Sequence, residues 1–270
     1  AAVSGARPRH RSAERARRSM TTPRARLLAV LAALLLIATP ACAEEVATNP
    51  LDELLIAIDA TRAVPTGRYS TTSPRQSALG EYDADGVRLM AAACPDIQPP
   101  CPEIRLIGRL AYVRSSSLPA IGASTGWLTV PLDELGPLEN RSPGLADEVA
   151  ALGGAPPPGI GPTLAALRTS RRAPRMDTGT LRAELDLTDL DRLSPRDQDA
   201  VVAWGALWAR RGGERNVTAD VSITSDGHVE MVVFDPDGDT PAGPMTVKLF
   251  DLGAPIEVTT PPITESTPLR

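Results

Sequence analysis

Val217, Ala219, Val221 and Ile223 alternate with Asn216, Thr218, Asp220 and Ser222, and Ser225-Asp226-Gly227 then turns the chain into His228–Phe234. A period of two puts one set of side chains on each face of a strand, and an Asp-Gly turn between two such runs makes them a hairpin. The pattern recurs. Leu181, Ala183, Leu185 and Leu187 alternate with Arg182, Glu184 and Asp186, and Asp83-Ala84-Asp85-Gly86 joins 78–83 to 87–93. Further strands are expected at 68–73, 103–114, 126–130, 245–250 and 255–259, with Gly108 as a bulge or bend and 235–239 as a second turn. That makes about ten strands in mainly antiparallel order, with no repeated βαβ alternation.

Helical patterning is sparser. Asn49-Pro50 followed by LDELLIAIDATRA has a capping residue, a first-turn proline and early acids, and Leu51, Leu54, Leu55 and Ile58 mark a face to be buried. Ser194-Pro195-Arg196-Asp197 opens a second helix with Val201, Trp204, Leu207 and Trp208 near one side, ended by Arg210-Arg211-Gly212-Gly213. Short helices are expected at 143–152 and 163–168. GGAPPPGIGP, residues 153–162, separates them as a loop or hinge. The class that follows is α+β, built on a large antiparallel sheet.

At the other end of the chain, Arg24 and Arg26 precede an uncharged apolar run, Leu27–Ala38, and then Thr39-Pro40-Ala41-Cys42-Ala43. Basic, apolar and small residues in that order form an export signal. A run of 12 residues is short of the roughly 20 needed to span a bilayer. Two processings fit: cleavage after Ala43, or lipidation of Cys42 as the first mature residue. An uncleaved anchoring helix is the plainer reading. The chain has three cysteines, and an odd thiol in an exported protein needs explaining. Lipidation of Cys42 would leave Cys94 and Cys101 as a disulfide closing CPDIQPPC. The expected division is an extension and signal peptide over 1–41, one domain over 42–262 and a flexible tail over 263–270.

Residues 1–26 hold eight Arg and one Glu, a net +7; subtracted from −5 for the whole chain, this leaves −12 for residues 27–270. An acidic body disfavours nonspecific binding to nucleic acid or anionic lipid. Motifs for chemistry are few. His228, the one histidine after the signal, stands at a hairpin turn, and 235–240 (DPDGDT) has calcium-loop spacing but the wrong positions for Gly and Glu, so both read as turn residues. No phosphate loop, nucleophile elbow or zinc motif occurs. No catalytic residue, cofactor or metal is therefore assigned. Trp204 and Trp208 stand four apart on one helix, a spacing that serves core packing or the wall of an apolar pocket.

The cysteine-bearing signal, the early amphipathic helix, RLIGRLAYVR followed by GWLTV, AELDL, VTADVSITSDGHVEMVVFD and VKLFDLGAPIEVTTPP occur in an order that resembles the actinobacterial lipid-carrier lipoproteins, the LppX/LprG-like family, similar in fold to the LolA-type carriers. The resemblance implies a curved antiparallel half-barrel sheet with helices across its concave face. It implies an apolar cavity for acyl chains of envelope lipids or lipoglycans, with no catalysis. It further implies an extracytoplasmic protein, lipid-anchored through Cys42 or else secreted, with an envelope transport protein as partner. Helix faces place the cavity wall at Leu55, Ile58, Leu164, Leu167, Val201, Trp204 and Trp208, with Trp204→Ala and Trp208→Ala expected to weaken ligand retention more than folding. The alternative is a ligand-free envelope interaction module with the same fold and a filled core, which a small internal cavity would favour.

Overall fold

Asn49 accepts a hydrogen bond from the amide of Leu51 at 3.1 Å, Pro50 occupies the first turn, and Asp52 and Glu53 lie at the positive end of the helix dipole. The helix so capped, α1 (Pro50–Arg62), is the first described element of the computed structural model, which describes residues 49–74, 77–91, 103–114 and 126–269. The segment read as an export signal and Cys42, Cys94 and Cys101 lie outside the described residues, as do the lipidation and disulfide expected there.

Seven elements precede the middle of the chain: α1, β1 (Gly67–Thr72), β2 (Ser77–Tyr82), β3 (Gly86–Ala91), β4 (Glu103–Ile107), β5 (Leu110–Arg114) and β6 (Trp127–Pro131). Four short pieces follow: α2 (Gly136–Arg141), α3 (Pro143–Gly153), α4 (Gly161–Leu167) and β7 (Ser170–Arg172). Then come β8 (Leu181–Asp186), α5 (Pro195–Arg210), β9 (Asn216–Ile223), β10 (Val229–Phe234), β11 (Met245–Phe250) and β12 (Ser266–Pro268). The strands form one curved, open, 12-stranded sheet in the order β12-β6-β5-β4-β3-β2-β1-β11-β10-β9-β8-β7, with the helices across its concave face. Every neighbouring pair is antiparallel except β12 with β6. The class is the expected α+β half-barrel.

Several elements differ from the sequence reading, each for a local reason. Residues 103–114 are not one bent strand but the hairpin β4–β5, turned at Gly108-Arg109. Ile104 and Leu106 reach the core from β4, but Ala111 and Val113, of opposite parity, reach it from β5. The two-residue turn thus changes the phase of the alternation. Residues 255–259 join no ladder. They strap the opposite face of the sheet, where the amide of Val258 donates to Asp83 Oδ2 at 2.7 Å and Arg105 Nη1 donates to the carbonyl of Thr259 at 2.6 Å. The strap carries the chain from β11 to the far edge. There the end expected to be loose pairs with β6, Ser266 opposite Trp127 and Pro268 opposite Thr129. Within 153–162 only 154–160 are irregular, since Gly153 ends α3 and Gly161 and Pro162 begin α4; Ala155 and Ile160 are buried, and Gly159 N and Gly161 N donate to the carbonyls of Leu152 and Pro157. They form a packed turn rather than a hinge.

The two faces of the sheet divide by residue type. Leu181, Ala183 and Leu185, Val217, Ala219 and Val221, and Val232 and Phe234 fill the concave side, with Ala183 opposite Ala219. Small residues at that crossing let the helices lie close. The other side carries ion pairs across strands: Arg182 with Asp220 and Asp237, Arg68 with Glu81 and Asp251, and Arg88, Arg105 and Arg114 all on Glu103. Polar side chains fasten α1 to the rest, among them Asp59 paired with Arg168 and Glu53 paired with Arg175. Arg62 makes a bidentate pair with Asp197 at 3.0 and 2.8 Å, and Thr61 Oγ1 accepts from the amide of Val229 at 2.8 Å, where β10 is irregular. This second contact explains why α1 buries Leu54, Ala57, Ile58 and Thr61, leaving Leu51 and Leu55 half-buried.

Candidate functional site

Between the sheet and the helices lies a half-open cavity of about 90 Å³. Its floor is strand: Tyr69 and Thr71 from β1, Ala78 from β2, Leu89 from β3, and Met245 and Val247 from β11. Its roof is Ala151 and Leu152 of α3, Gly159 of the packed turn, Pro162 of α4, and Trp204, Leu207 and Trp208 of α5. β1 and β11 are hydrogen-bonded neighbours, with Tyr69 opposite Leu249 and Thr71 opposite Val247, so residues distant in sequence meet in one floor.

The tryptophans are placed by α5, whose cap Ser194 accepts from the amide of Asp197. Four residues apart, they stack with ring centroids 5.6 Å apart and planes 14° apart, and Trp204 lies 4.7 Å from the Phe234 ring. Trp208 Nε1 donates to the carbonyl of Glu214 at 3.1 Å. Both rings are nearly fully buried, at 5% and 2% exposure. They belong to the core and to the cavity wall at once.

Tyr69 is the unusual member. Its ring is buried, and its hydroxyl has no hydrogen-bond partner among the described residues. Burial drives its pKa well above the ordinary phenol value, with the negative charge of Glu148 adding to the shift. A glycine stands on either side. A Cβ at Gly80 would lie 2.1 Å from the Tyr69 ring, and one at Gly159 would lie 2.6 Å from its hydroxyl, with Gly159 also at φ +85°. Gly159→Ala is expected to cost about 1–3 kcal/mol through backbone strain and this collision, read by urea unfolding. An unchanged midpoint would show that Tyr69 has room to move.

The cavity lining also holds two charged residues. Glu148 of α3 and Arg211, just past α5, both line it. Burial raises the pKa of Glu148, against the opposing pull of Arg211, and burial lowers that of Arg211, against Glu148. Arg211 Nη1 lies 3.1 Å from Met245 Sδ, a weak acceptor.

Of the residues expected to form the wall, Trp204 and Trp208 line this cavity. The others lie elsewhere. Ile58, Leu164 and Leu167 are fully buried in the main core, Val201 packs with Ala155, Ala165, Leu193 and Ala200 in a smaller cluster, and Leu55 is half-buried beside the core. Leu164 and Leu167 belong to α4, which is buried along its whole length, so its apolar side chains are spent on packing. Sequence reasoning passed over Tyr69, Glu148 and Arg211. A signal existed for the charged pair: Glu148 precedes Ala151 and Leu152 by three and four residues, and Arg211 follows Leu207 and Trp208 at the same spacings. His228 and Asp235 are turn residues as read. The amide of His228 donates to Thr224 Oγ1, and Asp235 accepts from the amides of Asp239 and Thr240 and from Thr240 Oγ1. Among the described residues no group of acids, histidines or cysteines could hold a metal, and no helix is long and apolar enough to cross a membrane.

No family model matches the chain, and no curated protein matches it. Solved structures do. LprF from Mycobacterium bovis is 15% identical, with a TM-score of 0.37, over 78% of this chain and 96% of its own. An uncharacterized conserved protein from Thermus thermophilus is 8% identical, with a TM-score of 0.37, over 80% of this chain and 98% of its own. The LolA superfamily protein NE2245 from Nitrosomonas europaea is 12% identical, with a TM-score of 0.30, over 76% of this chain and 93% of its own. The α+β half-barrel itself is established by this chain's own strands and helices.

Proposed function

We propose that this chain is an exported carrier that holds acyl chains between its helices and the concave face of its sheet and performs no reaction on them. The observation that carries the reading is the apolar cavity itself, walled by two stacked tryptophans and holding a buried phenol with no partner among the described residues. An unsatisfied buried hydroxyl is costly in a finished core and reasonable in a site that a ligand completes. Burying hydrocarbon supplies about 0.8 kcal/mol per methylene, so affinity needs few polar contacts. The basic, apolar and small residues of 24–45 support export, and Cys42 supports a lipid anchor.

At about 90 Å³ the cavity is smaller than the roughly 150 Å³ that admits a benzene ring. A long acyl chain therefore requires α3 and α5 to part from the sheet. The same small volume favours the second reading, a ligand-free envelope module that binds a protein partner. Native mass spectrometry on residues 44–270 purified from an actinobacterial host, followed by organic extraction, separates the two. The expected outcome is a lipid at about one per chain, as a pocket for a single ligand requires. A bare protein that also takes up no lipid from vesicles would replace the carrier with the interaction module.

A further inference from the structure

The polar groups of the cavity form a set with unused capacity. Tyr69 brings one O–H donor without a partner, and Arg211 brings a fork of donors whose one hydrogen bond among the described residues goes to a thioether. Glu148, on the facing helix, makes no ion pair among the described residues and is half-buried. All three line the same cavity as Leu89, Trp204 and Val247. A ligand that completes this set has an apolar body and a head rich in acceptors. A hydrocarbon would leave the donors bare. An alcohol brings a donor of its own where donors are already in excess. A carboxylate is acceptor-only, with two oxygens for the Arg211 fork and the Tyr69 hydroxyl. A dianionic phosphate would bring two negative charges, where a carboxylate brings one, into a cavity that holds a single guanidinium, Arg211, beside the Glu148 carboxyl.

We propose that Arg211 and Tyr69 form the head-group subsite of this cavity and that its ligand is a single alkyl chain ending in a carboxylate, the hydrocarbon lying against Leu89, Trp204 and Val247. The inference rests on the carrier reading and narrows it to the fatty-acid class.

Trp204 and Trp208 make the test optical. The third tryptophan, Trp127, lies on the other face of the sheet under Arg105 and Arg114 and serves as an unquenched background. 12-Bromododecanoic acid and its methyl ester are titrated into the protein while tryptophan fluorescence is followed. The acid is expected to quench at a concentration roughly tenfold lower than the ester. Arg211→Gln raises the Kd for the acid roughly tenfold or more and leaves the ester unchanged, the size of a hydrogen bond to a charged group. Tyr69→Phe weakens the acid about three- to tenfold without lowering the Tm, since it deletes a hydroxyl that has no partner in the empty protein. If Arg211→Gln does not fold, Tyr69→Phe decides alone. Equal quenching by acid and ester, untouched by either substitution, would overturn the carboxylate subsite and leave the carrier standing. No quenching by either probe in the unaltered protein would overturn both.

Discussion

Glu103→Ala is expected to lower the free energy of unfolding by about 3–5 kcal/mol, the loss found when one partner of a buried ion pair is removed. Glu103 is 1% exposed yet ionised, and Arg88, Arg105 and Arg114 hold it at 2.7, 2.8 and 2.5 Å. Arg105 and Arg114 in turn stand over the Trp127 ring at 4.9 and 4.7 Å. Without the carboxylate, three guanidinium groups crowd one patch, and of them Arg88 alone keeps an ion pair among the described residues, with Glu81 at 3.7 Å. Burial alone would raise the pKa of Glu103, but the hydrogen bonds from Arg105 and Arg88 outweigh it and hold the carboxyl below its ordinary value. A folded-state pKa below the unfolded value, about 4.3, gives stability that is complete above that pH and is lost as pH falls through the folded pKa. Urea unfolding from neutral pH down to about pH 3 should show the unaltered protein losing stability more steeply than Glu103→Ala. Asp186, lowered by Thr188, and Asp197, lowered by Arg62 against its burial, keep part of the slope in both. Parallel curves of equal midpoint would show that Glu103 contributes nothing.

Trp204→Ala is expected to cost about 3–5 kcal/mol, as large-to-small substitutions at buried aromatics do. The ring packs on Trp208 and Phe234 and lies in the main core cluster. Offset or tilted aromatic pairs add about 0.5–1.5 kcal/mol beyond burial, and truncation enlarges the cavity already beside the ring. This reverses the emphasis expected from sequence, in which the tryptophans served ligand retention more than folding. A loss below about 1 kcal/mol at neutral pH, less than the usual cost of an aromatic truncation, would remove the stack from the account of the core.

The helix ends and the strong strands were legible because their determinants are local. Asn49 and Ser194 cap where the sequence said they would, since a cap is a bond between residues two or three apart. The alternation at 181–185 and 217–221 predicts the concave face because a strand's two sides differ in polarity whatever lies next to it. Residues 255–259 misled because their apolar and β-branched character suits a strand, while their hydrogen bonds go to Asp83 and Arg105, distant in sequence. Helix faces put Leu164, Leu167 and Val201 in a cavity wall; all three are buried, and none lines the cavity of Trp204 and Trp208. A helix face records that it is covered, not what covers it.

What the sequence determined by itself is the α+β class, the antiparallel hairpins, the capped helices and the acidic charge balance, all of which follow from short-range periodicity or simple counting. Only the tertiary structure decided that β1 lies beside β11, that the C-terminal strap reaches β6, and that Tyr69, Glu148 and Arg211 share a cavity with Trp204. Those meetings depend on strand order and helix docking, whose free energy comes from packing between residues far apart in the chain, and such packing leaves no periodic trace in any one segment.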